Sequence, residues 1–175
     1  MSDLYIYSPS GAVRDRLAFK RGVQFLKTQG HQVTVDPCTL SSSTRFAGTD
    51  EERVAAIERA ARSGAHASLI SRGGYGLTRL LPDLPYKAIS KSIDQGMAWV
   101  GYSDFTALQL AVLSRTGRIT WAGPSLLDSF GSTAVDDITY DCFHDVLSEQ
   151  GEGTGWRMGL VASKALATRK PGVWA

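Results

Sequence analysis

The sequence predicts an α/β fold, a mainly parallel sheet flanked by helices. Three observations carry that expectation. Short apolar runs of four or five residues alternate along the chain with segments of helical length, from Leu4-Tyr5-Ile6-Tyr7 to a last helix closing near Ser148. Such alternation marks βαβ crossovers, which put helices on the faces of a parallel sheet. Helix signals fall where the alternation needs them, with Thr49 and Glu52 as a capping box and Gly30, Gly64 and Gly117 as stops. There is also no internal repeat and no low-complexity tract to suggest another architecture.

Taken in order, the first strand is Leu4–Tyr7, closed by Ser8-Pro9-Ser10-Gly11, and a helix follows over about residues 13–29. A second strand, Gln32–Val35, ends at Asp36-Pro37, and a polar loop leads to an Ala-rich helix over 50–62. The third strand, Ala67–Ser71, runs into Arg72-Gly73-Gly74-Tyr75-Gly76, and short helical pieces follow over 77–81 and 86–92. A fourth strand, Ala98–Tyr102, precedes a helix over 104–115, a fifth strand covers 118–122, and the last helix covers 135–148. Residues 1–150 therefore read as one α/β domain of the Rossmann/flavodoxin-like kind. Residues 151–175, where Gly151, Gly153 and Gly155 alternate with polar residues, read as a linker or the truncated start of a further domain. Trp99 and Trp121 fall in strands and are assigned to the core, whereas Trp156 and Trp174 fall in that tail.

Composition narrows the function. Of the 175 residues 43% are hydrophobic and 21% charged, which is the make-up of a globular chain with one core. A formal charge of +2 without a basic run argues against nucleic acid. No apolar stretch reaches the roughly 18–20 residues that span a bilayer, and the N-terminus lacks the basic and apolar regions of a signal peptide. Cys38 and Cys142 fit neither a CxxC pair nor a disulfide framework and read as free thiols of a reducing compartment. No HxH, HExxH or Cys/His cluster suggests a metal.

Ligands of an open parallel sheet bind beyond the carboxyl ends of its strands. That edge should carry Ser8, Ser10, Asp36, the Ser71–Gly76 loop, Ser103, Asp104 and Gly123-Pro124. Ser103 stands out because it lies between a strand and a helix, two residues after Gly101. A nucleophile there sits on a sharp turn, with the N–H of Asp104 at the helix start to bind an oxyanion. Gly-Tyr-Ser-Asp-Phe departs from G-x-S-x-G, since Phe105 replaces the second glycine, and Ser103 reads equally as a plain helix N-cap. The glycines after strand three can cradle a phosphate, donate a second oxyanion N–H, or serve only as a turn. His31 and His66 fall at strand beginnings and His144 in the last helix, so no imidazole is placed to take a proton from Ser103. A serine without a base is a weak nucleophile.

Two segments resemble a known family. Ser71-Arg72-Gly73-Gly74-Tyr75-Gly76 with Arg79-Leu80-Leu81, and Gly101-Tyr102-Ser103-Asp104-Phe105-Thr106, look like the signatures of the LD-carboxypeptidases, or muramoyltetrapeptide carboxypeptidases. Tyr7–Gly11 and Tyr86–Ile89 fit the same pattern. The resemblance implies an α/β domain with Ser103 as nucleophile and the N–H groups of Asp104 and of Gly73 or Gly74 as oxyanion donors. It implies release of the terminal D-alanine from murein tetrapeptide in cytoplasmic peptidoglycan recycling, with no metal or organic cofactor, and homodimers. It also implies a second domain that supplies a Glu and a His to complete the triad, so the chain alone should be inactive. Two rivals stand beside this reading. One is the microcin-immunity branch of the family, which cleaves acyl-sulfamoyl or acyl-phosphoramidate nucleotides; the other is a non-catalytic module binding a peptide or nucleotide.

Overall fold

The computed structural model describes residues 1–148. Five parallel strands form a single sheet in the order β2-β1-β3-β4-β5. They are β1 (Asp3–Tyr7), β2 (Gln32–Val35), β3 (Ala67–Ile70), β4 (Ala98–Gly101) and β5 (Trp121–Ala122). Between them run α1 (Arg16–Thr28), α2 (Asp50–Arg62), α3 (Leu77–Leu80), α4 (Tyr86–Asp94) and α5 (Phe105–Thr116), with α6 (Asp137–Ser148) after β5. The α/β expectation holds, with every strand pair parallel.

Alternate residues of each strand face opposite ways, so one sheet builds two cores. Tyr5, Tyr7, Ile70 and Trp99 pack with Ile57 of α2, Ile89 of α4 and Leu108 of α5. Leu4, Ile6, Leu69 and Val100 pack on the other face with Phe19 and Leu26 of α1, with Leu126 and Phe130 from the segment between β5 and α6, and with Phe143 of α6. Trp99 is fully buried, lies edge-on to Tyr7 at 5.9 Å, and donates its indole N–H to Ser92 Oγ at 2.9 Å. An aromatic pair of this geometry adds about 0.5–1.5 kcal/mol beyond its buried area.

Local signals explain the boundaries. In α2 the Thr49 hydroxyl accepts from the Glu52 N–H and Glu52 reaches back to the Thr49 N–H, so the helix begins where the capping box sets it. Helix α1 starts at Arg16 rather than Val13, because Asp15 is its N-cap and accepts from the Ala18 N–H at 2.8 Å. Strand β5 keeps only two residues of the five expected. Trp121 is 42% exposed at this sheet edge, which removes it from the core to which the sequence assigned it. A 3-10 turn at Leu81–Asp83 and a wide π turn at Leu126–Phe130 complete the described elements. The expectations for Trp156, Trp174 and the tail lie outside the described residues.

Candidate active site

Three residues turn the chain from β4 into α5, and the middle one is strained. Ser103 has φ of +65°, a left-handed backbone that among the described non-glycine residues only Thr44 shares. That conformation costs an L-residue about 1–2 kcal/mol. Packing on both sides holds it. Gly101 carries no Cβ because one would lie 2.7 Å from Phe105 Cδ1 and 2.9 Å from Ile70 Cδ1. The fully buried Phe105 ring thus covers Gly101, which gives a structural reason for Phe where G-x-S-x-G has glycine. Gly73 abuts the serine from the neighbouring loop: a Cβ there would fall 2.8 Å from Ser103 Cβ and 2.9 Å from its Oγ.

The Ser103 side chain is exposed, and its hydroxyl makes no hydrogen bond among the described residues. A plain N-cap would accept from the N–H of Phe105 or Thr106. Those groups donate instead to the carbonyls of Tyr102, at 3.3 Å, and Ser103, at 3.1 Å. The N-cap position belongs to Asp104, whose side chain does not cap either. Its carboxylate turns away: Oδ2 accepts from the buried Ser10 hydroxyl, and Oδ1 is buried without a partner among the described residues. The N–H groups of Asp104, Gly73 and Gly74 likewise donate to nothing among the described residues. Hydrogen-bond donors in that condition beside an exposed hydroxyl are what an oxyanion site needs.

The loops around them are clamped. The Ser71 N–H donates to the Tyr7 carbonyl at 2.7 Å, the Ser71 and Ser8 hydroxyls lie 2.5 Å apart, and Ser8 donates to the Thr39 carbonyl at 2.8 Å. Arg53, wholly buried on α2, donates from Nη1 to the carbonyls of Pro9 at 3.1 Å and Gly76 at 3.4 Å. Its guanidinium also pairs with Asp50 and lies 4.7 Å over the Phe46 ring. One buried cation thereby fixes the loops after β1 and β3 to α2. Gly74, at φ of +151°, lets its loop run against Ser10 Oγ and the Gly11 backbone.

Two features escape the sequence. Arg53 reads there only as a charge on an Ala-rich helix. The π turn is the other: the Leu127 N–H donates to the Ser71 carbonyl at 2.9 Å, and Asp128 Oδ2 accepts from the Tyr102 hydroxyl at 3.2 Å and the Ser125 hydroxyl at 3.0 Å. This turn joins the glycine loop to the residue before Ser103. Burial, then the Asp128 charge, raises the Tyr102 phenol, which stays a donor at neutral pH.

Other expected edge residues stay out of the site. Asp36 is buried and doubly paired with Arg59, so its carboxylate is committed to structure. The histidines lie elsewhere. His66 Nδ1 accepts from the N–H of Asp3, the first residue of β1, at the amino ends of the strands. His31 precedes β2, is buried within 3.2 Å of the Tyr140 hydroxyl, and has its pKa lowered mainly by burial. His144 shares Tyr140 with it, 6.3 Å between ring centres. No imidazole thus stands beside Ser103, as the sequence indicated. Cys38 and Cys142 are unpaired, and among the described residues no three His, Cys, Asp or Glu side chains gather as a metal cage. No helix of the described residues is long and apolar enough to cross a membrane.

Known proteins resemble this chain in sequence and fold. A family model described as the LD-carboxypeptidase N-terminal domain matches residues 4–123. The chain is 33% identical over 148 residues to the microcin C7 self-immunity protein MccF of Escherichia coli, covering 83% of this chain and 42% of that protein. It is 30% identical over 126 residues to a probable murein peptide carboxypeptidase of Bacillus subtilis, covering 71% of this chain and 39% of that one. Among solved structures it superposes on the muramoyltetrapeptide carboxypeptidase of Oxalobacter formigenes with a TM-score of 0.72 at 33% identity, covering 82% of this chain and 47% of the other. MccF in complex with aspartyl sulfamoyl adenosine gives 0.77 at 30% identity, covering 90% and 45%. The chain therefore spans less than half the length of these relatives.

Proposed function

The chain belongs to the LD-carboxypeptidase family, and we propose that it is the nucleophile-bearing part of a serine carboxypeptidase that removes the terminal D-alanine from murein tetrapeptide. The observation that carries this reading is Ser103 itself, a non-glycine residue at φ +65° whose exposed hydroxyl caps nothing. Strain of this kind persists where the surroundings over-determine it, and it clusters at catalytic positions.

In this mechanism Ser103 Oγ attacks the scissile carbonyl and forms a tetrahedral intermediate. The negative oxygen accepts from the N–H of Asp104 and of Gly73 or Gly74. The proton leaves Oγ for a base and passes from it to the departing amine of D-alanine. Water then hydrolyses the acyl-serine, with the same base taking its proton. The three histidines of the sequence are spent elsewhere. The base therefore lies outside these residues, and the family resemblance implies a histidine, oriented by a glutamate, from a second domain. The reaction belongs to cytoplasmic peptidoglycan recycling, in a homodimeric assembly without a metal or organic cofactor.

A second reading has its own support in the likeness to MccF, solved with aspartyl sulfamoyl adenosine. There the same serine would cleave an acyl-sulfamoyl or acyl-phosphoramidate nucleotide. Release of D-alanine from murein tetrapeptide, measured beside hydrolysis of an acyl-sulfamoyl nucleoside, separates the two. In the assembly that includes the second domain, Ser103→Ala lowers turnover on the order of 10⁴–10⁶-fold without altering the fold. The 175-residue chain alone is expected to show none. An Ser103→Ala protein that keeps most of its activity removes Ser103 from the mechanism.

A further inference from the structure

Three arginines line the crevice between the loops that follow β1 and β3. Arg14, Arg45 and Arg72 line a cavity of about 170 Å³ together with Gly11, Gly74 and Tyr75. No carboxylate lines it, and none of the three arginines forms an ion pair among the described residues. Arg45 lies over the Tyr75 ring at 5.2 Å and donates to its hydroxyl at 2.6 Å, and Arg72 Nε donates to the Gly73 carbonyl at 3.2 Å. These contacts orient two of the cations and neutralise neither.

The fold places the cavity where a parallel sheet binds ligands. Strands β1 and β3 are neighbours, but the chain leaves β1 toward α1 on one face and β3 toward α3 on the other, which opens a crevice at their carboxyl ends. Arg45 arrives from the distant loop before α2, stitched in place by Ala12 N–H to the Arg45 carbonyl and Ala47 N–H to the Ser10 carbonyl, both 3.0 Å. The cavity also borders the strained Ser103 turn. A Cβ on Gly11 would lie 2.7 Å from the Gly73 carbonyl and 3.3 Å from Arg72 Nε, and Gly73 in turn abuts Ser103.

We infer that this cavity is the subsite for the free terminal carboxylate of the peptide cleaved at Ser103, an inference that rests on the carboxypeptidase reading. An exopeptidase that releases a single residue must hold a carboxylate one residue from the scissile carbonyl, and guanidinium forks bind that group with paired, charge-assisted hydrogen bonds. Three like charges left unpaired in one crevice are relieved by an anion. The volume is below the roughly 300 Å³ at which pockets for larger organic ligands begin. It suits one small residue.

The test needs no catalysis. The chain carrying Ser103→Ala is titrated by NMR with N-acetyl-D-alanine, with its C-terminal amide, and with inorganic phosphate. The acid binds at least about tenfold tighter than the amide, and Arg45→Gln, Arg14→Gln and Arg72→Gln each weaken the acid about tenfold, the effect of one lost charge-assisted bond. Arg79→Gln, whose cation is paired with Asp50 at 2.8 Å, leaves binding unchanged. Arg14 and Arg45 are exposed, so their variants report on the site even if the half-buried Arg72 proves necessary for folding. Equal binding of acid and amide, or full retention in the three variants, overturns the inference. Phosphate binding tenfold tighter than the acid through the same arginines also overturns it. Arginine-dependent binding of the acid in a protein whose full assembly fails to cleave the peptide keeps the subsite and removes the peptidase reading.

Discussion

Two aspartates follow two strands of the same sheet, and the structure treats them in opposite ways. Asp36, after β2, has no exposed side-chain surface and accepts four hydrogen bonds: from the Tyr5 hydroxyl at 2.7 Å, Arg59 Nε at 2.7 Å, Arg59 Nη2 at 2.9 Å and the Cys38 N–H at 2.8 Å. Asp104, after β4, accepts one from Ser10 and buries its second oxygen with no partner among the described residues. A buried acceptor left unmade costs about 1–3 kcal/mol. Beside it stand a Ser103 hydroxyl at φ +65° and three N–H groups, none with a hydrogen-bond partner among the described residues. The end of β2 is a completed clasp, and the ends of β3 and β4 are left open. Polar groups that are fully satisfied hold a fold together, whereas groups kept unsatisfied at a cost in stability are available to a ligand.

The contrast can be broken first at the clasp. Asp36→Asn leaves Arg59 without its counter-charge, and chemical denaturation at pH 7 should show a loss of about 2–3 kcal/mol, discounted for the partly exposed Arg59. The pH dependence has a definite sign. Burial pushes the Asp36 carboxyl up, but the bonds from Arg59, Tyr5 and Cys38 outweigh it and hold its pKa below the usual value. A depressed carboxyl contributes stability that is complete above the unfolded value of about 3.9 and is lost as pH falls through the lower folded value. The gap between wild type and Asp36→Asn should therefore be constant near neutrality and close below about pH 4. A gap that widens on acidification removes the clasp. The bond to Asp36 adds to burial in raising the Tyr5 phenol to about 12, so Tyr5 stays a donor through this range.

The open end answers to a smaller change. Gly73→Ala places a Cβ 2.8 Å from Ser103 Cβ, and neither the strained turn nor the short side chain can yield cheaply. Overpacking of this kind costs about 1–2 kcal/mol of stability. In the full assembly it should lower turnover at least about tenfold by displacing the hydroxyl, since small misplacements near the chemistry are expensive. Unchanged stability and turnover would mean that the loop and the elbow are not in register.

How much of this was legible in the sequence depends on whether the signal is local. The bounds of α2 follow from Thr49 and Glu52, and the elbow follows from Gly101 and Ser103 between an apolar run and a helix. The exclusion of all three histidines follows from their places along the alternation. What could not be read depends on tertiary neighbours. Arg14 and Arg45 look like scattered surface charges until the antiparallel bridge between Gly11 and Phe46 brings their loops together, beside the Arg72 loop that the sequence had placed at the strand ends. The π turn at Leu126–Phe130 is one turn long, too short a run for its i,i+4 apolar pair to announce a helix, yet Leu126 and Phe130 are wholly buried against α1. Trp121 was misplaced because aromatic content marks a strand without saying that the strand is a two-residue edge.

The most direct measurement of the central claim is the sign of the stability change in Ser103→Gly. Glycine takes the left-handed turn without strain, though it also loosens the unfolded chain. If Ser103 is held at φ +65° for chemistry rather than for the fold, urea unfolding of the 175-residue chain should show the variant more stable by about 0.5–1 kcal/mol. A variant less stable by a similar amount would mean that the Ser103 hydroxyl holds the helix start or the turn together, and the assignment of this residue to catalysis would lose its physical basis.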